Sequence, residues 1–582
     1  MPTESNDQST SLMIHNATIW TGDPDNPWAT TMVVRGGRFV YVGSEEERGR
    51  GPSAALRGSD NVPLREPAPQ IIDAHGALVI PGLVDAHAHM LAGGFMLDQV
   101  QLKDATDKAD FIQRIAAHSA TMPETGEWIQ GGWWSTAQWT DTGTASDRQP
   151  TRHWIDAVTS DRPVCLMQTD GHSALCNSIA LTIAGITANG PASPPGGVIE
   201  RDKTIGEPTG ILRDTAMNLV KKHIPPYTVD QQVAALRRAA GHAVSHGVTT
   251  IAGDIPLLSE LPAYQALADD PGDLPVRLMV YPITPDWSEA LEPLRAFRPS
   301  ADRIEIKGLK SFLDGALGSR TGAMLEPYLD PATGGRPDPE GWRGVLTPEA
   351  DQETLTTNLA IALQHGLQPM VHAIGDEANR VLLDAYARVY GERGGVADAR
   401  CRMEHCQHLH PDDIARAGRL GVIASMQPYH KYGDASTIDR LIGAERAAAS
   451  FAFGPLAAAG ARLAFGTDWP VVGIDPFRTI DVAVTGRVAG GAPWHPENSV
   501  SAPHALRAST YGAAWAGRIE QRIGTIREGM LADFVILETE SRPPKPGNSQ
   551  QLHKWLQEIE WLQVQPRSVH SGGRPVYQDS GL

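Results

Sequence analysis

Short apolar runs alternate with longer amphipathic stretches through the middle of this 582-residue chain. The runs have the length and β-branched content of buried strands, and Ala- and Leu-rich helical segments such as 229–246 and 355–365 separate them. Eight strands are predicted, at 77–89, 248–254, 276–281, 304–313, 368–373, 402–406, 422–427 and 462–467. Strands alternating with helices are typical of parallel sheets, so the pattern predicts an α/β fold with a closed (β/α)8 barrel of the TIM type.

Both ends of the chain instead show short β-rich runs broken by glycine turns, as at 31–42 and 523–537. Neither end has enough apolar residues for a core of its own, so 1–80 and 518–582 are predicted to form one small β-sandwich domain. The barrel domain, 81–517, would then be inserted between its two halves. The gap after the first barrel strand is far too long for one helix, which predicts an insertion at 95–230 acting as a pocket wall or lid.

The insertion is rich in tryptophan, which has two interpretations. The residues are Trp128, Trp133, Trp134, Trp139 and Trp154. Tryptophans at the catalytic end of a barrel, Trp134 among them, suit an aromatic or apolar substrate group, but tryptophans also fill the core of an insertion. The sequence leaves both open.

Composition excludes several classes of protein. A net charge of −18 argues against a nucleic-acid surface, because phosphate neutralisation needs clustered Lys and Arg. The sequence contains no run of about 18 apolar residues, so no membrane span is predicted. The polar first residues lack the apolar core of a signal peptide. The four cysteines show no Cys-X-X-Cys spacing. We therefore expect a soluble cytoplasmic protein with a small-molecule partner and no nucleic-acid or membrane partner.

Metal-binding side chains follow the first predicted barrel strand. His87 and His89 alternate with Ala86 and Ala88, so on an extended chain the two imidazoles point to the same side. Two imidazoles at a strand end can hold one divalent ion. An isolated His-X-His is more often a pair of polar loop residues, so the assignment depends on what the other strands carry.

Four more polar groups lie at or near the ends of later predicted strands: Lys310, His372, His405 and Asp468. Each one alone is better explained as a core or loop residue. Jointly they place metal-type ligands on five strands of a barrel whose functional groups belong at one end, which favours a metal site. Lys307, three positions from Lys310, would face the opposite side of a strand.

Seven segments resemble the amidohydrolase superfamily, and within it the amidohydrolase family 3 group that includes N-substituted formamide deformylases. The segments, in chain order, are 81–89, 170–177, 308–321, 372–376, 404–407, 466–470 and 529–533. The resemblance covers nearly the whole chain, from about residue 11 to residue 577, and is specific for the family but not for the substrate.

The resemblance implies a metal site formed by His87, His89, Lys310, His372, His405 and Asp468. In binuclear members a carboxylated lysine bridges two ions, and Lys310 occupies that position; the alternative is an unmodified buried lysine beside a single ion. Zn²⁺ is the default metal, although imidazole and carboxylate ligands also accept Mn, Fe or Co. The family also suggests a homodimer.

The resemblance also implies the catalytic groups. Metal-activated hydroxide would attack the carbonyl, and Asp468 would shuttle the proton to the departing nitrogen. His172 resembles the substrate-orienting histidine, with a helix-start histidine as the alternative. Arg320 is a candidate for a polar substrate group but is better explained as fixing its loop, and Trp469 either lines the pocket or packs in the core.

These features predict a metal-dependent hydrolase of a non-peptide C–N bond, such as an N-formyl or N-acyl amine. Cleavage of a cyclic amide, carbamate or ester is the alternative within the same chemistry, because the hydroxide does not select the leaving group. A non-catalytic metal-binding regulatory protein is the alternative from another class.

Overall fold

The computed structural model describes residues 11–44, 69–122, 126–136, 139, 149–168, 173–300, 302–330, 335–391, 395–544 and 548–579. The chain divides into two compact units, one of Met1–Leu91 with Leu236–Leu582 and the other of Ala92–Ala235. The second unit spans nearly the same residues as the insertion expected at 95–230, whose role as a pocket wall stays a prediction.

Parallel strands form the centre of the first unit. One sheet has the order Ile304–Ile306, Arg277–Val280, Val248–Asp254, Leu83–Asp85, and another has the order Gly308–Phe312, Gln368–Ala373, Arg402–His405, Ile423–Met426, Arg462–Phe465. All seven residues of Val248–Asp254 and all six of Gln368–Ala373 are buried. Burial on both faces explains why these strands lack the strict alternation of apolar and polar residues that a half-exposed strand shows.

Backbone hydrogen bonds also join the edges of these two sheets. On one side Ala86 N–H donates to Phe465 O at 3.0 Å and Asp468 N–H donates to His87 O at 2.7 Å. On the other side Lys310 N–H donates to Pro282 O at 3.0 Å. The strand segments predicted in the sequence are therefore hydrogen-bonded to one another in chain order, from the first to the last and back to the first.

Two predicted strands are each divided in the structure. The run at 77–89 splits at Gly82 into Leu78–Pro81, which joins a mixed sheet, and Leu83–Asp85, which joins a parallel one. A Cβ at Gly82 would lie 2.3 Å from Thr249 Oγ1, so only glycine fits this close approach. The run at 304–313 divides at Lys307, whose Nζ donates to Glu305 Oε2 at 2.6 Å.

Strands from the first chain end form one further sheet, and strands from both ends form another. Their orders are Arg38–Gly43, Thr31–Arg35, Leu12–His15, Gln70–Asp73 and Arg574–Gln578, Gln565–Ser571, Phe534–Glu538, Leu78–Pro81, Thr18–Trp20, Trp28–Ala29. One buried apolar cluster combines residues from both ends, including Ile14, Phe39, Phe534 and Ile536. Neither end forms this core alone, which is the physical reason that the two ends pack together.

The second unit has its own sheet and cores. The sheet has the order Gly197–Arg201, Pro208–Asp214, Ser173–Cys176, Cys165–Gln168, Gly131–Trp134, Val100–Gln101. Its helices are Lys108–Thr121, Arg152–Ile155, Ser178–Ile183 and Asn218–Lys221, with 3₁₀ turns at Asp156–Val158 and Thr215–Met217, and the helices Met90–Asp98 and Val229–Ser245 run across its two boundaries with the first unit. An apolar cluster includes Phe111, Trp134 and Trp139, and the Phe111 ring lies edge to face with each of the two tryptophan rings.

Helices separate the parallel strands, as the pattern predicts. In the first unit they are Leu261–Asp269, Trp287–Ala296, Gln352–His365, Asp376–Tyr390, Gly395–Ala399, Pro411–Leu420, Pro428–Ile442, Ala444–Ala447, Phe453–Ala459, Pro476–Thr485, Ala502–Arg507, Ala513–Ala516 and Ser549–Glu558. A π-helical turn at Ala508–Gly512, 3₁₀ turns at Leu258–Glu260, Pro348–Ala350, Pro496–Asn498 and Trp561–Gln563, and a small hairpin of Leu329–Asp330 with Arg336–Pro337 complete the described elements.

Left-handed glycines end several of these helices just before a strand. Gly366 (φ 65°) ends Gln352–His365, and Gly421 (φ 70°) ends Pro411–Leu420. A left-handed residue there satisfies the last helical carbonyls and turns the chain back toward the sheet. Among the described residues, every helix is too short or too polar to cross a bilayer.

Candidate metal centre

The parallel strands place the predicted ligands at their carboxyl ends. His87 and His89 follow Leu83–Asp85. Ala88 between them forms isolated parallel β-bridges with Asp254 and Trp469, which lie on the neighbouring segments of the same chain. Lys310 lies in Gly308–Phe312, His372 in Gln368–Ala373, His405 at the end of Arg402–His405, and Asp468 three residues after Arg462–Phe465.

Three of these residues form a compact buried set. One ligand atom from each of His87, His405 and Asp468 lies within 4.8 Å of the others. His89 and His372 adjoin the set: His89 Nε2 is 3.1 Å from Asp468 Oδ1, and the His372 ring centroid is 4.5 Å from that of His405. Lys310 belongs to the same cluster, since its Nζ lies 4.6 Å from the centroid of the Phe312 ring, which neighbours His372.

Four buried nitrogens in this cluster lack hydrogen-bond partners among the described residues. They are Lys310 Nζ, His372 Nδ1, His405 Nδ1 and His430 Nε2. A buried polar atom without a partner costs about 1–3 kcal/mol, and such atoms usually indicate an ion or ligand. Several in one cluster, with a carboxylate among them, fit a divalent cation.

Hydrogen bonds to groups outside the ligand set determine which ring nitrogen of each histidine can face an ion. His87 Nδ1 is 2.5 Å from Glu404 Oε2, His89 Nδ1 is 3.2 Å from Ile255 O, and His372 Nε2 is 3.1 Å from Gly315 O. Each of these acceptors engages one ring nitrogen, so the other ring nitrogen is the one that can face an ion. Hydrogen bonds of this kind orient metal-binding histidines and set their tautomer.

Burial favours the neutral form of two of the nitrogen ligands. Burial, with the neighbouring His372 and His87, holds the pKa of His405 well below its usual value. Burial lowers the pKa of Lys310 to about 8, although Glu404 and Asp468 oppose this shift. An unprotonated amine or imidazole is the form that binds a cation or reacts with carbon dioxide.

Carboxylates in the centre remain charged. Burial would raise the pKa of Asp468, but the charge and hydrogen bonds of His87 and His89 bring it well below its usual value. Burial likewise opposes the ionisation of Glu404, yet the Arg402 guanidinium lowers its pKa to about 2. Arg402 Nε donates to Glu404 Oε1 at 2.7 Å, and both side chains are fully buried. The ion pair fixes the Glu404 carboxylate, which in turn holds His87 through its Nδ1.

The backbone at the centre adopts conformations that are costly for ordinary residues. His405 (φ 68°), Cys406 (φ 48°) and Asp468 (φ 60°) are all left-handed. Non-glycine residues in this region cost of order 1 kcal/mol or more each, and they concentrate at functional sites. Gly466 permits the approach of the last strand to the first, because a Cβ there would lie 2.5 Å from His87 N.

Asp85 and Asp314 anchor the loops that carry the ligands. Asp85 Oδ1 accepts from His87 N–H at 2.9 Å, and its Oδ2 accepts from Thr467 Oγ1 at 2.6 Å. Asp314 accepts from the backbone of Ile374 and Gly375, just after the His372 strand. These buried carboxylates hold the strand ends together without belonging to the ligand set.

The predicted substrate residues lie in different surroundings. Arg320 pairs with Asp338 at 2.5 Å and its carbonyl accepts from Trp342 Nε1, which fits the interpretation that it fixes its loop. Trp469 is buried, with its ring 5.4 Å from that of His242. Trp134 is buried in the second unit, where its Nε1 donates to Leu166 O at 3.2 Å, as expected for a core residue. His172 lies outside the described residues.

His430 is a site residue that the sequence interpretation missed. It lies on the helix Pro428–Ile442, and its Nε2 is 3.8 Å from Asp468 Oδ2. The predicted ligands lie at or near strand ends, whereas His430 lies three residues into the segment that follows the predicted strand 422–427. A histidine in the first helical turn after a buried strand is the signal that points to it.

Comparisons with known proteins agree with this geometry. Protein LONG AFTER FAR-RED 3 of Arabidopsis thaliana is 36% identical over 544 residues, 91% of this chain and 87% of that protein. An N-substituted formamide deformylase of Arthrobacter pascens is 27% identical over 545 residues, 91% of this chain and 94% of that protein. A crystal structure of an uncharacterised metal-dependent hydrolase from Pyrococcus horikoshii OT3 has a TM-score of 0.70 and 26% identity, covering 91% of this chain and 98% of that one.

The family match extends over most of the chain, from the sheets built by its two ends through the strands that carry the ligand cluster. A model of the amidohydrolase family matches residues 70–577. The resemblance identified from seven sequence segments is confirmed: this chain belongs to the amidohydrolase family and is a metal-dependent hydrolase.

Proposed function

We propose that this protein hydrolyses a non-peptide C–N bond, in an N-formyl or N-acyl amine. The observation that carries the proposal is the buried set of His87, His405 and Asp468, surrounded by unpartnered nitrogens at the carboxyl ends of parallel strands. The similarity to an N-substituted formamide deformylase supports the substrate class.

The proposed ligands are His87, His89, Lys310, His372, His405 and Asp468, holding one or two divalent ions, with Zn²⁺ as the first candidate. Hydrogen bonds to groups outside the ligand set determine which nitrogens of His87, His89 and His372 can face an ion. In a binuclear centre the Lys310 amine would add to carbon dioxide and release a proton, which gives a bridging carbamate. The lowered pKa of Lys310 favours that step because more of the amine is unprotonated.

A divalent ion in this centre supplies a bound water of lowered pKa and polarises the substrate carbonyl. Asp468 would take the proton that the attacking water loses, since its carboxylate is ionised and lies beside His87 and His89. It would then deliver that proton to the leaving nitrogen, because an amine departs readily only when protonated.

The remaining architectural features belong to the same proposal. The hydrogen-bonded series of parallel strands would form a closed (β/α)8 barrel, and the sheets from the two chain ends would form a β-sandwich. The insertion would provide a pocket wall with His172 as a candidate substrate residue. Trp469 is a second candidate, from the segment after Arg462–Phe465, whereas Trp134 would fill the core of the insertion and Arg320 would fix its loop. A homodimer is the proposed assembly.

The test is metal-dependent release of amine from a substrate panel. The purified chain would be stripped with a chelator, reloaded with Zn²⁺, Mn²⁺ or Co²⁺, and assayed on N-formyl and N-acetyl derivatives of aromatic and aliphatic amines. A cyclic amide, a carbamate and an ester complete the panel. We expect activity on the acyl amines that chelation abolishes and a metal restores.

Asp468→Asn and Asp481→Asn are the matched variants. Both aspartates are buried, but Asp481 lies on the helix Pro476–Thr485 and pairs with Arg487 at 3.7 Å. Asp468→Asn should lose activity while Asp481→Asn retains it. Hydrolysis only of the cyclic amide, carbamate or ester would replace the substrate class, and binding of metal without hydrolysis of any compound would overturn the enzymatic proposal in favour of a regulatory role.

A further inference from the structure

His430 lies beside the candidate metal centre but is not in the ligand set that the family implies. It follows the strand Ile423–Met426, and its backbone N–H donates to Gln427 O at 3.0 Å. Its ring stacks on that of His405, with centroids 6.2 Å apart and planes 19° apart. The side chain is 11% exposed, and no described residue partners its buried Nε2.

The two oxygens of Asp468 face different groups. Oδ1 lies 3.4 Å from His87 Nε2 and 3.1 Å from His89 Nε2, on the side of the proposed ligands. Oδ2 lies 3.8 Å from His430 Nε2. If Oδ1 binds the ion, Oδ2 is the oxygen available to carry a proton, and His430 is the residue that adjoins it.

We propose that His430 is a positioning residue for Asp468, donating its Nε2–H to Oδ2 and so fixing the plane of the carboxylate. This role rests on the proposed function, in which Asp468 moves a proton to the leaving nitrogen. The present separation of 3.8 Å exceeds a hydrogen bond by roughly 0.8 Å, so the proposed contact requires a shift of that size between the two side chains. Oδ2 then keeps a second lone pair for the proton in transit.

The surroundings of His430 restrict its ring. Stacking on His405 and placement in the first turn of Pro428–Ile442 restrict the ring. A rigid donor orients a carboxylate better than a mobile one, and a displacement of about 1 Å in a reacting group costs roughly 100-fold in rate.

The test compares His430→Leu, His430→Gln and the control His408→Leu, in wild type and with Asp468→Asn. His408 is another buried histidine, with Nδ1 2.7 Å from Ser450 Oγ and no part in the centre. We expect His430→Leu to lower kcat roughly 100-fold with KM and Zn²⁺ content unchanged, and glutamine to restore at least a tenth of wild-type kcat. His430→Leu should have no further effect when Asp468 is already Asn, and His408→Leu should leave kcat unchanged.

Other results would overturn the role. A raised KM at unchanged kcat would make His430 a substrate contact, and a lower Zn²⁺ content would make it a ligand. A full 100-fold loss in the Asp468→Asn background would show that it does not act through Asp468.

Nitrogen NMR of the Zn²⁺-loaded chain with ¹⁵N-labelled histidine tests the contact without catalysis. We expect an exchange-protected Nε2–H signal from His430 that Asp468→Asn abolishes, and absence of that signal in wild type would reject the hydrogen bond. Failure of the substrate panel with the signal present would reject the proposed function alone.

Discussion

The substitution Glu404→Gln tests how much the hydrogen bond from His87 to Glu404 contributes to metal binding. Glu404 Oε2 lies 2.5 Å from His87 Nδ1, and Oε1 accepts from Arg402 Nε at 2.7 Å. Glutamine keeps the size of the side chain but offers one acceptor oxygen, so two N–H donors compete for it. His87 is then no longer held in the tautomer that leaves Nε2 free.

The size of the effect follows from the burial of the pair. Glu404 and Arg402 are both fully buried, and loss of the carboxylate leaves the guanidinium without its counter-charge. Breaking a buried ion pair costs about 3–5 kcal/mol of stability. Loss of the hydrogen bond behind a metal-binding histidine costs roughly 10- to 100-fold in metal affinity, which corresponds to about 1.4–2.7 kcal/mol.

The assay is Zn²⁺ titration against a competing chromophoric chelator, with thermal unfolding of the metal-free chain measured alongside. Glu520→Gln is the matched control, because Glu520 pairs with Arg400 at 2.7 Å and its side chain is 8% exposed. Both variants should unfold at a lower temperature, but only Glu404→Gln should bind Zn²⁺ more weakly. Wild-type affinity in Glu404→Gln would refute the assignment of His87 as a ligand held by Glu404.

Three further predictions concern the bridge, the proton shuttle and a buried histidine far from the centre. Lys310→Ala should lower the metal content, measured by mass spectrometry of the elements, to one ion or fewer per chain; two ions would reject the bridge. Asp468→Asn should keep metal bound yet reduce kcat by roughly a thousandfold, and near-normal turnover would reject the shuttle. Burial lowers the pKa of His570 to about 4, below its value of 6.5 in the unfolded chain. Its contribution to stability is therefore present above pH 6.5 and is lost as the pH falls towards 4, by at most roughly 3 kcal/mol. Unfolding temperatures between pH 7 and 4.5 should fall less for His570→Gln, and an equal fall would contradict that shift.

The ligand positions were accessible from the sequence because parallel strands impose simple rules. Apolar runs mark the buried strands, and their carboxyl ends meet at one side, so His372, His405 and Asp468 could be grouped before any distance was known. His87 and His89 followed from the alternation of side chains along an extended chain.

Other features depended on contacts that no local pattern encodes. The break at Gly82 arises from the close approach of Thr249, a residue far along the chain. The left-handed conformations of His405 and Asp468 were not predictable, since positive φ is uncommon for any residue other than glycine and no local pattern marks it here. His430 was missed because a histidine in the first turn of a helix has many structural explanations, and only its distance from Asp468 distinguishes it.

Aromatic residues show the same limit of local patterns. The sequence does not distinguish a tryptophan that lines a pocket from one that fills a core. For Trp134, the hydrogen bond of its indole to Leu166 O and its burial indicate the core. The substrate side of the protein was for this reason the least predictable part.

The central claim is that His87, His405 and Asp468 hold a divalent cation, and anomalous X-ray diffraction at the zinc edge tests it most directly. Crystals of the full chain grown with Zn²⁺ should show an anomalous peak within about 2.3 Å of ligand atoms from all three residues. Saturating Zn²⁺ with no peak between them, or a peak bound only elsewhere on the chain, would contradict the account.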